Sequence, residues 1–139
     1  MNLSELKVLI IEDDPTKNAD IMNALKRCGV QNMKSASYLE EALKIIKQYN
    51  KEGSPIGLIV TDMQYPLSGG FAPKVDDAGE QLIERLKEKS LDIPVIVCSS
   101  LRYSIPGILG CIWYKYDENS GLDQDFRRLL EQKFQDGGK

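Results

Sequence analysis

The chain has 139 residues, 42% hydrophobic and 28% charged, which suits one domain with its own core and excludes both two ordinary domains and a disordered polymer. A net charge of −3, with no basic cluster longer than the pair Arg127 and Arg128, leaves no footprint for direct nucleic-acid binding, and the longest apolar run, Val8 to Ile11, is far too short to span a membrane. The absence of histidine removes the commonest general base, the commonest zinc ligand and any Ser-His or Cys-His nucleophile pair, so chemistry must rest on carboxylates, lysine, hydroxyls or a hard metal ion.

In chain order, Met1 to Lys7 is too polar for a secretory signal, so a cytoplasmic protein is expected. Lys7 to Ile11 is a β-branched run without alternation and predicts a strand buried on both faces of a parallel sheet. It stops at Glu12, Asp13 and Asp14, and Pro15 opens a helix with apolar positions Ile21, Met22, Leu25 and Cys28 that ends at Gly29. Asn32 to Ala36 predicts a weaker second strand. Ser37 and Glu40 form a capping-box pattern ahead of a helix carrying Leu39, Ala42, Leu43 and Ile46. Gly57 to Thr61 predicts a third buried strand, ending at Asp62.

A long connection with Pro66 and Pro73 follows, and then a helix with Leu82, Ile83 and Leu86 facing inward. Pro94 to Cys98 predicts the fourth strand, ending at Ser99 and Ser100, and Cys111 to Tyr114 the fifth, ending at Lys115. Pro106, Gly107 and Gly110 leave little room for a helix between these two, so that crossover is expected to be short or irregular. The last helix is expected to bury Leu122, Phe126, Leu129, Leu130 and Phe134 and to stop at Asp136, which gives a single domain over 1–136 and a tail over 137–139. Cys28, Cys98 and Cys111 are odd in number and lack C-x-x-C spacing, and they read as reduced, buried thiols.

Five strands with intervening helices predict an α/β fold with a doubly wound parallel sheet, whose ligand site lies beyond the carboxyl ends of the strands. Glu12, Asp13, Asp62, Ser99 and Lys115 stand at those ends. Two carboxylates about 4 Å apart repel by roughly 4 kcal/mol at an effective dielectric near 20, so three together call for a cation. All-oxygen donors favour Mg²⁺ or Mn²⁺.

The pieces VLIIEDDP (8–15), LIVTDMQYP (58–66), PVIVCSS (94–100) and CIWYK (111–115) together resemble the receiver domains of two-component response regulators, in the right order and over nearly the whole chain. The resemblance implies a five-stranded flavodoxin-like sheet of order 2-1-3-4-5. It implies that Glu12 and Asp13 are the metal-binding acid pair and that Asp62 is both phosphoacceptor and metal ligand, with the backbone carbonyl of Gln64 completing the Mg²⁺ site. Lys115 would pair with the phosphoryl group and Ser99 would swing in to hydrogen-bond it. The implied donor is a sensor histidine kinase or a phosphotransfer protein.

Four departures from the family pattern make the expected receiver an atypical, stand-alone one. The connection after Asp62 is expanded over residues 67–78, which makes it a candidate lid or docking surface for a specific partner. The fourth crossover is short, Ile112 stands where many members carry an aromatic switch residue, and Tyr116 replaces the proline that commonly follows the lysine. Output therefore falls to another protein or to phosphorylation-dependent dimerisation of the chain itself. Two alternatives compete: a pseudo-receiver that binds protein without being phosphorylated, and a small phosphohydrolase of the haloacid-dehalogenase kind, suggested by Glu12, Asp14 and Thr16 but weakened by glutamate at the nucleophile position.

Overall fold

Strand β1 (Lys7–Ile11) lies between two neighbours, so its aliphatic side chains are buried on both faces, and its last four residues are fully covered. The computed structural model describes residues 2–116 and 121–134; the expected helix stop at Asp136 and the 137–139 tail lie outside them. A single 3₁₀ turn (Leu3–Glu5) precedes β1. Then follow α1 (Pro15–Arg27), β2 (Asn32–Ala36), α2 (Leu39–Lys51), β3 (Leu58–Thr61), β4 (Tyr65–Pro66), β5 (Lys74–Val75), α3 (Ala78–Glu88), β6 (Val95–Ser99), β7 (Gly110–Trp113) and α4 (Leu122–Phe134).

The main sheet is parallel throughout, in the order β2-β1-β3-β6-β7. Counting only its five strands, that is the 2-1-3-4-5 order expected from the sequence. Alternation along β1 divides the core. Val8 and Ile10 join Ile21, Leu25 and Phe126 under α1 and α4, while Leu9 and Ile11 join Leu39, Ala42 and Leu82 under α2 and α3. Each fully buried aliphatic side chain in these two layers contributes roughly 1.5–3 kcal/mol relative to exposure. None of the helices among the described residues is long and apolar enough to cross a membrane.

Some local expectations need correction. The N-cap of α2 is Tyr38, without a side-chain cap, and the Ser37–Glu40 box does not form; instead the Ser37 N–H donates to Glu41 Oε1 at 2.8 Å. A Glu41 carboxylate reaching back one turn meets the same orphan donor from the next position along. Phe134 is only partly buried at the end of α4. The connection after β3 contains a two-residue antiparallel ladder, Tyr65 opposite Val75 and Pro66 opposite Lys74. Between β6 and β7 there is no helix: Gly107 takes a positive φ of 82°, and the Leu109 N–H donates to the Val95 carbonyl at 2.8 Å as the chain enters β7. β7 is the last strand of the sheet and so an edge strand, with Trp113 exposed on it.

Of the cysteines, only Cys98 is buried; Cys28 and Cys111 are half-buried because they sit at the end of α1 and on the edge strand. Burial pushes the Cys98 thiol up to about 12. Native protein at about pH 8 is therefore expected to leave Cys98 unmodified by iodoacetamide until it is denatured, as read by peptide mass mapping. Labelling of Cys98 at the rate of Cys111 in native protein would contradict its burial under α1 and α4.

Candidate functional site

The carboxyl ends of β1 and β3 lie side by side, because Ile11 pairs with Thr61 and the Asp62 N–H continues the ladder to the Ile11 carbonyl at 3.1 Å. This register brings Glu12 and Asp62 to neighbouring strand ends. Glu12 is held by its own N–H, which donates to the Ala36 carbonyl, and its Oε2 accepts from the Asp14 N–H at 3.1 Å. Asp14 caps α1 by accepting from the Thr16 N–H at 3.0 Å. Pro15 then starts the helix, and Lys17, two residues on, points back toward the helix N-terminus and over the end of β1.

Lys17 is the centre of the site. Its ammonium lies 2.8 Å from Glu12 Oε1 and 3.1 Å from Asp62 Oδ2, with the lysine side chain only 1% exposed and that of Asp62 15%. Glu12 Oε1 has this ion pair but no hydrogen bond of regular geometry. Burial acts most strongly on Lys17 and pulls its pKa down, yet the combined attraction of Glu12 and Asp62 outweighs it and the net shift is upward. Lys17 is thus a cation throughout the neutral range. Burial raises Glu12, with the like charge of Asp62 adding to it and Lys17 opposing it. The lysine is roofed by Tyr114, whose ring centroid is 5.6 Å from the ammonium, and Tyr114 meets the Tyr116 ring edge-on at 4.8 Å. Tyr116 donates to Asp14 Oδ2 at 2.8 Å, and Tyr114 to Asp20 Oδ2 at 2.5 Å.

The other expected site residues surround this centre with partners of their own. Asp62 Oδ1 accepts from the Met63 N–H at 2.7 Å. Ser99 is buried at the end of β6, where its Oγ accepts from the Leu101 N–H at 3.2 Å. Asp13 Oδ2 is 3.4 Å from the Lys74 ammonium, carried in by β5, while its buried Oδ1 has no hydrogen-bond donor among the described residues. The Gln64 side chain turns to Asp76, at 3.5 Å. Lys115 lies over the Trp113 ring, 4.8 Å from its centroid, and the ammonium that sits on Asp62 is that of Lys17. Gly79 lets α3 begin against the loop that follows β3: a Cβ there would come within 2.8 Å of the Asp62 carbonyl oxygen and 3.0 Å of Met63 Cα.

A divalent ion does not fit these residues as they are arranged. Asp13 Oδ1 is an acceptor without a donor, as a hard ion would favour. However, the place between Glu12 and Asp62 is filled by an ammonium, and no group of three Asp, Glu, Cys or His side chains among the described residues is gathered so as to hold a metal. Sequence reasoning missed Lys17. The signal was its position: with Ile21, Ala24 and Leu25 it falls on the buried stripe of α1, where a lysine needs a partner.

No protein-family model and no curated protein sequence matches the chain. Solved structures do match. A response regulator in red light signalling of R. palustris is 14% identical, with a TM-score of 0.69 over 93% of this chain and 94% of that one. The phosphorylated cyanobacterial phytochrome response regulator RcpA is 22% identical, with a TM-score of 0.66 over 91% of each chain. A Mn²⁺-bound response regulator is 17% identical, with a TM-score of 0.65 over 96% of this chain and 97% of that one. At such identities the likeness establishes the fold, and the chain has the fold of response-regulator receiver domains.

Proposed function

We propose that this chain, with its receiver fold, is a phosphorylation-dependent signalling switch that accepts a phosphoryl group onto Asp62. The observation that carries the reading is the position of Asp62 at the carboxyl end of the central β3, partly open to solvent, with a buried ammonium on one oxygen. An Asp62 carboxylate oxygen attacks the phosphorus of a phosphohistidine on a kinase or phosphotransfer protein. The P–N bond breaks, its electron pair returns to the imidazole nitrogen, and an acyl phosphate is left on Asp62. Lys17 opposes the charge of the transferred group at close range. Glu12, Asp13, Asp62 and the Gln64 carbonyl are the groups that the family resemblance assigns to Mg²⁺, but with Lys17 in place nothing in the transfer is attributed to that ion.

Ser99 and Lys115 read the modified state. Each is engaged with the crossover before β7 or with β7 itself, Ser99 through the Leu101 N–H and Lys115 over Trp113. Drawing either onto the phosphoryl oxygens releases that contact and alters the edge carrying Leu101, Arg102 and Trp113, where a protein partner would sense it. Incubation with a small phosphoryl donor or with a phosphorylated histidine phosphotransfer protein is expected to add one phosphoryl mass to the intact chain and to change Trp113 fluorescence. Asp62→Asn should abolish both while leaving the circular dichroism unchanged. A mass gain retained by Asp62→Asn, or none in the wild type with any donor, would defeat the reading and favour a pseudo-receiver.

A further inference from the structure

We infer that Lys17 is the resident cation of the acceptor site, holding Glu12 and Asp62 together without a divalent ion, so that Mg²⁺ can enter only by displacing it. The inference rests on the reading of this cluster as the acceptor centre, and its own support is geometric. Three carboxylates, on Glu12, Asp13 and Asp62, face two ammonium groups, on Lys17 and Lys74. The acids are therefore largely balanced by the chain itself. Lys17 is not a mobile surface group that a hydrated ion could brush aside. It is rooted in the third position of α1, buried to 1%, pinned by two ion pairs and roofed by the Tyr114 ring.

Both oxygens of Glu12 and both of Asp62 already have neighbours: backbone N–H groups of Asp14 and Met63 on one side, the lysine on the other. A small ion that demands near-octahedral oxygen coordination must evict the ammonium from that space and then bear its repulsion at short range. The second lysine comes from the inserted hairpin. Lys74 is exposed and further from its acid, so it is a weaker counter-ion and a lesser barrier.

The test is calorimetric titration of the whole chain with MgCl₂. Wild type is expected to show no saturable binding over concentrations that saturate Lys17→Met, a variant that keeps the length of the side chain and removes its charge. The gain in affinity should be at least about tenfold, whereas Lys74→Ala should, like the wild type, show no saturable binding over the same concentrations. Should Lys17→Met fail to fold, thermal unfolding of the wild type decides alone: equal midpoints in EDTA and in several-millimolar MgCl₂ support the inference, because a ligand that binds only the native state must raise the midpoint. A Mg²⁺-dependent rise, or wild-type binding as tight as that of Lys17→Met, overturns it. Phosphoryl transfer is read separately by mass, so failure of the acceptor reading leaves these isotherms interpretable.

Discussion

Lys17→Ala is expected to lower the free energy of unfolding by about 3 kcal/mol at neutral pH, measured by urea denaturation followed by circular dichroism. The reason is what the substitution leaves behind: Glu12 buried beside Asp62 with no positive charge between them. Removing one partner of a buried ion pair costs about 3–5 kcal/mol, and the low end applies because the Asp62 side chain keeps some exposure and can rehydrate. For a chain of this size the loss corresponds to roughly 10 °C in the midpoint. Lys17→Met retains the packing of the methylene stem against α1 and the sheet, so the difference between the two variants separates the charge from the packing. Adding Glu12→Gln to Lys17→Ala should recover part of the deficit. If the two substitutions simply add, Lys17 and Glu12 are not energetically coupled and the predicted role of the ion pair fails.

The same pair fixes the pH dependence. Burial holds Glu12 above its ordinary value of 4.5 in the folded chain even with Lys17 present. The native state therefore binds that proton at higher pH than the unfolded chain does. The stabilisation is fully present below 4.5 and is lost as pH rises through the folded value. Without Lys17 its charge and its hydrogen bond no longer hold Glu12 down, only the Asp14 N–H still does, and the window extends further upward. The deficit of Lys17→Ala should thus narrow as pH falls from neutrality toward 4.5, as Glu12 takes up its proton. At the alkaline end Lys17 itself, raised above 10.5, contributes stability that is lost as pH rises through its folded value, so the wild type should converge on the variant there.

The sheet was legible because its inner strands β1, β3 and β6 are short aliphatic runs that end at a polar residue, while the largely exposed edge strand Asn32–Ala36 stands out only by its place between a glycine stop and the start of α2. The acids at the strand ends were legible for the same reason, since a parallel sheet gathers its carboxyl ends at one edge. Other features depend on side-chain direction, which period and composition do not carry. Lys17 looks like a solvated lysine near a helix start until its stripe is drawn. Lys115 follows β7 at the expected place, yet its ammonium lies over the Trp113 ring. The β4–β5 ladder was hidden because two-residue strands have no period, and Pro66 and Pro73 read as loop.

Tyr65 is the fully buried side chain of that ladder, and Tyr65→Ala is expected to cost about 3–5 kcal/mol, the range for truncating a fully buried aromatic. Tyr65 lies in the core under α2 and α3, three residues after Asp62, and its hydroxyl hydrogen-bonds Thr61 Oγ1 at 3.0 Å. Thr61 Oγ1 in turn donates to the Asp62 carbonyl at 2.7 Å. Burial raises the Tyr65 phenol, which stays a neutral donor. Tyr65→Phe removes only that hydrogen bond, and with Thr61 still satisfied by the carbonyl the loss should be about 1 kcal/mol. The ring therefore outweighs the hydroxyl about threefold. Because the ring anchors the strand paired with Lys74 and Val75, its loss should also free Lys74 from Asp13 and speed tryptic cleavage after Lys74, while Tyr65→Phe leaves that rate near the wild type. Equal destabilisation by both variants, or unchanged cleavage in Tyr65→Ala, would mean that the hairpin is held by something other than its buried aromatic.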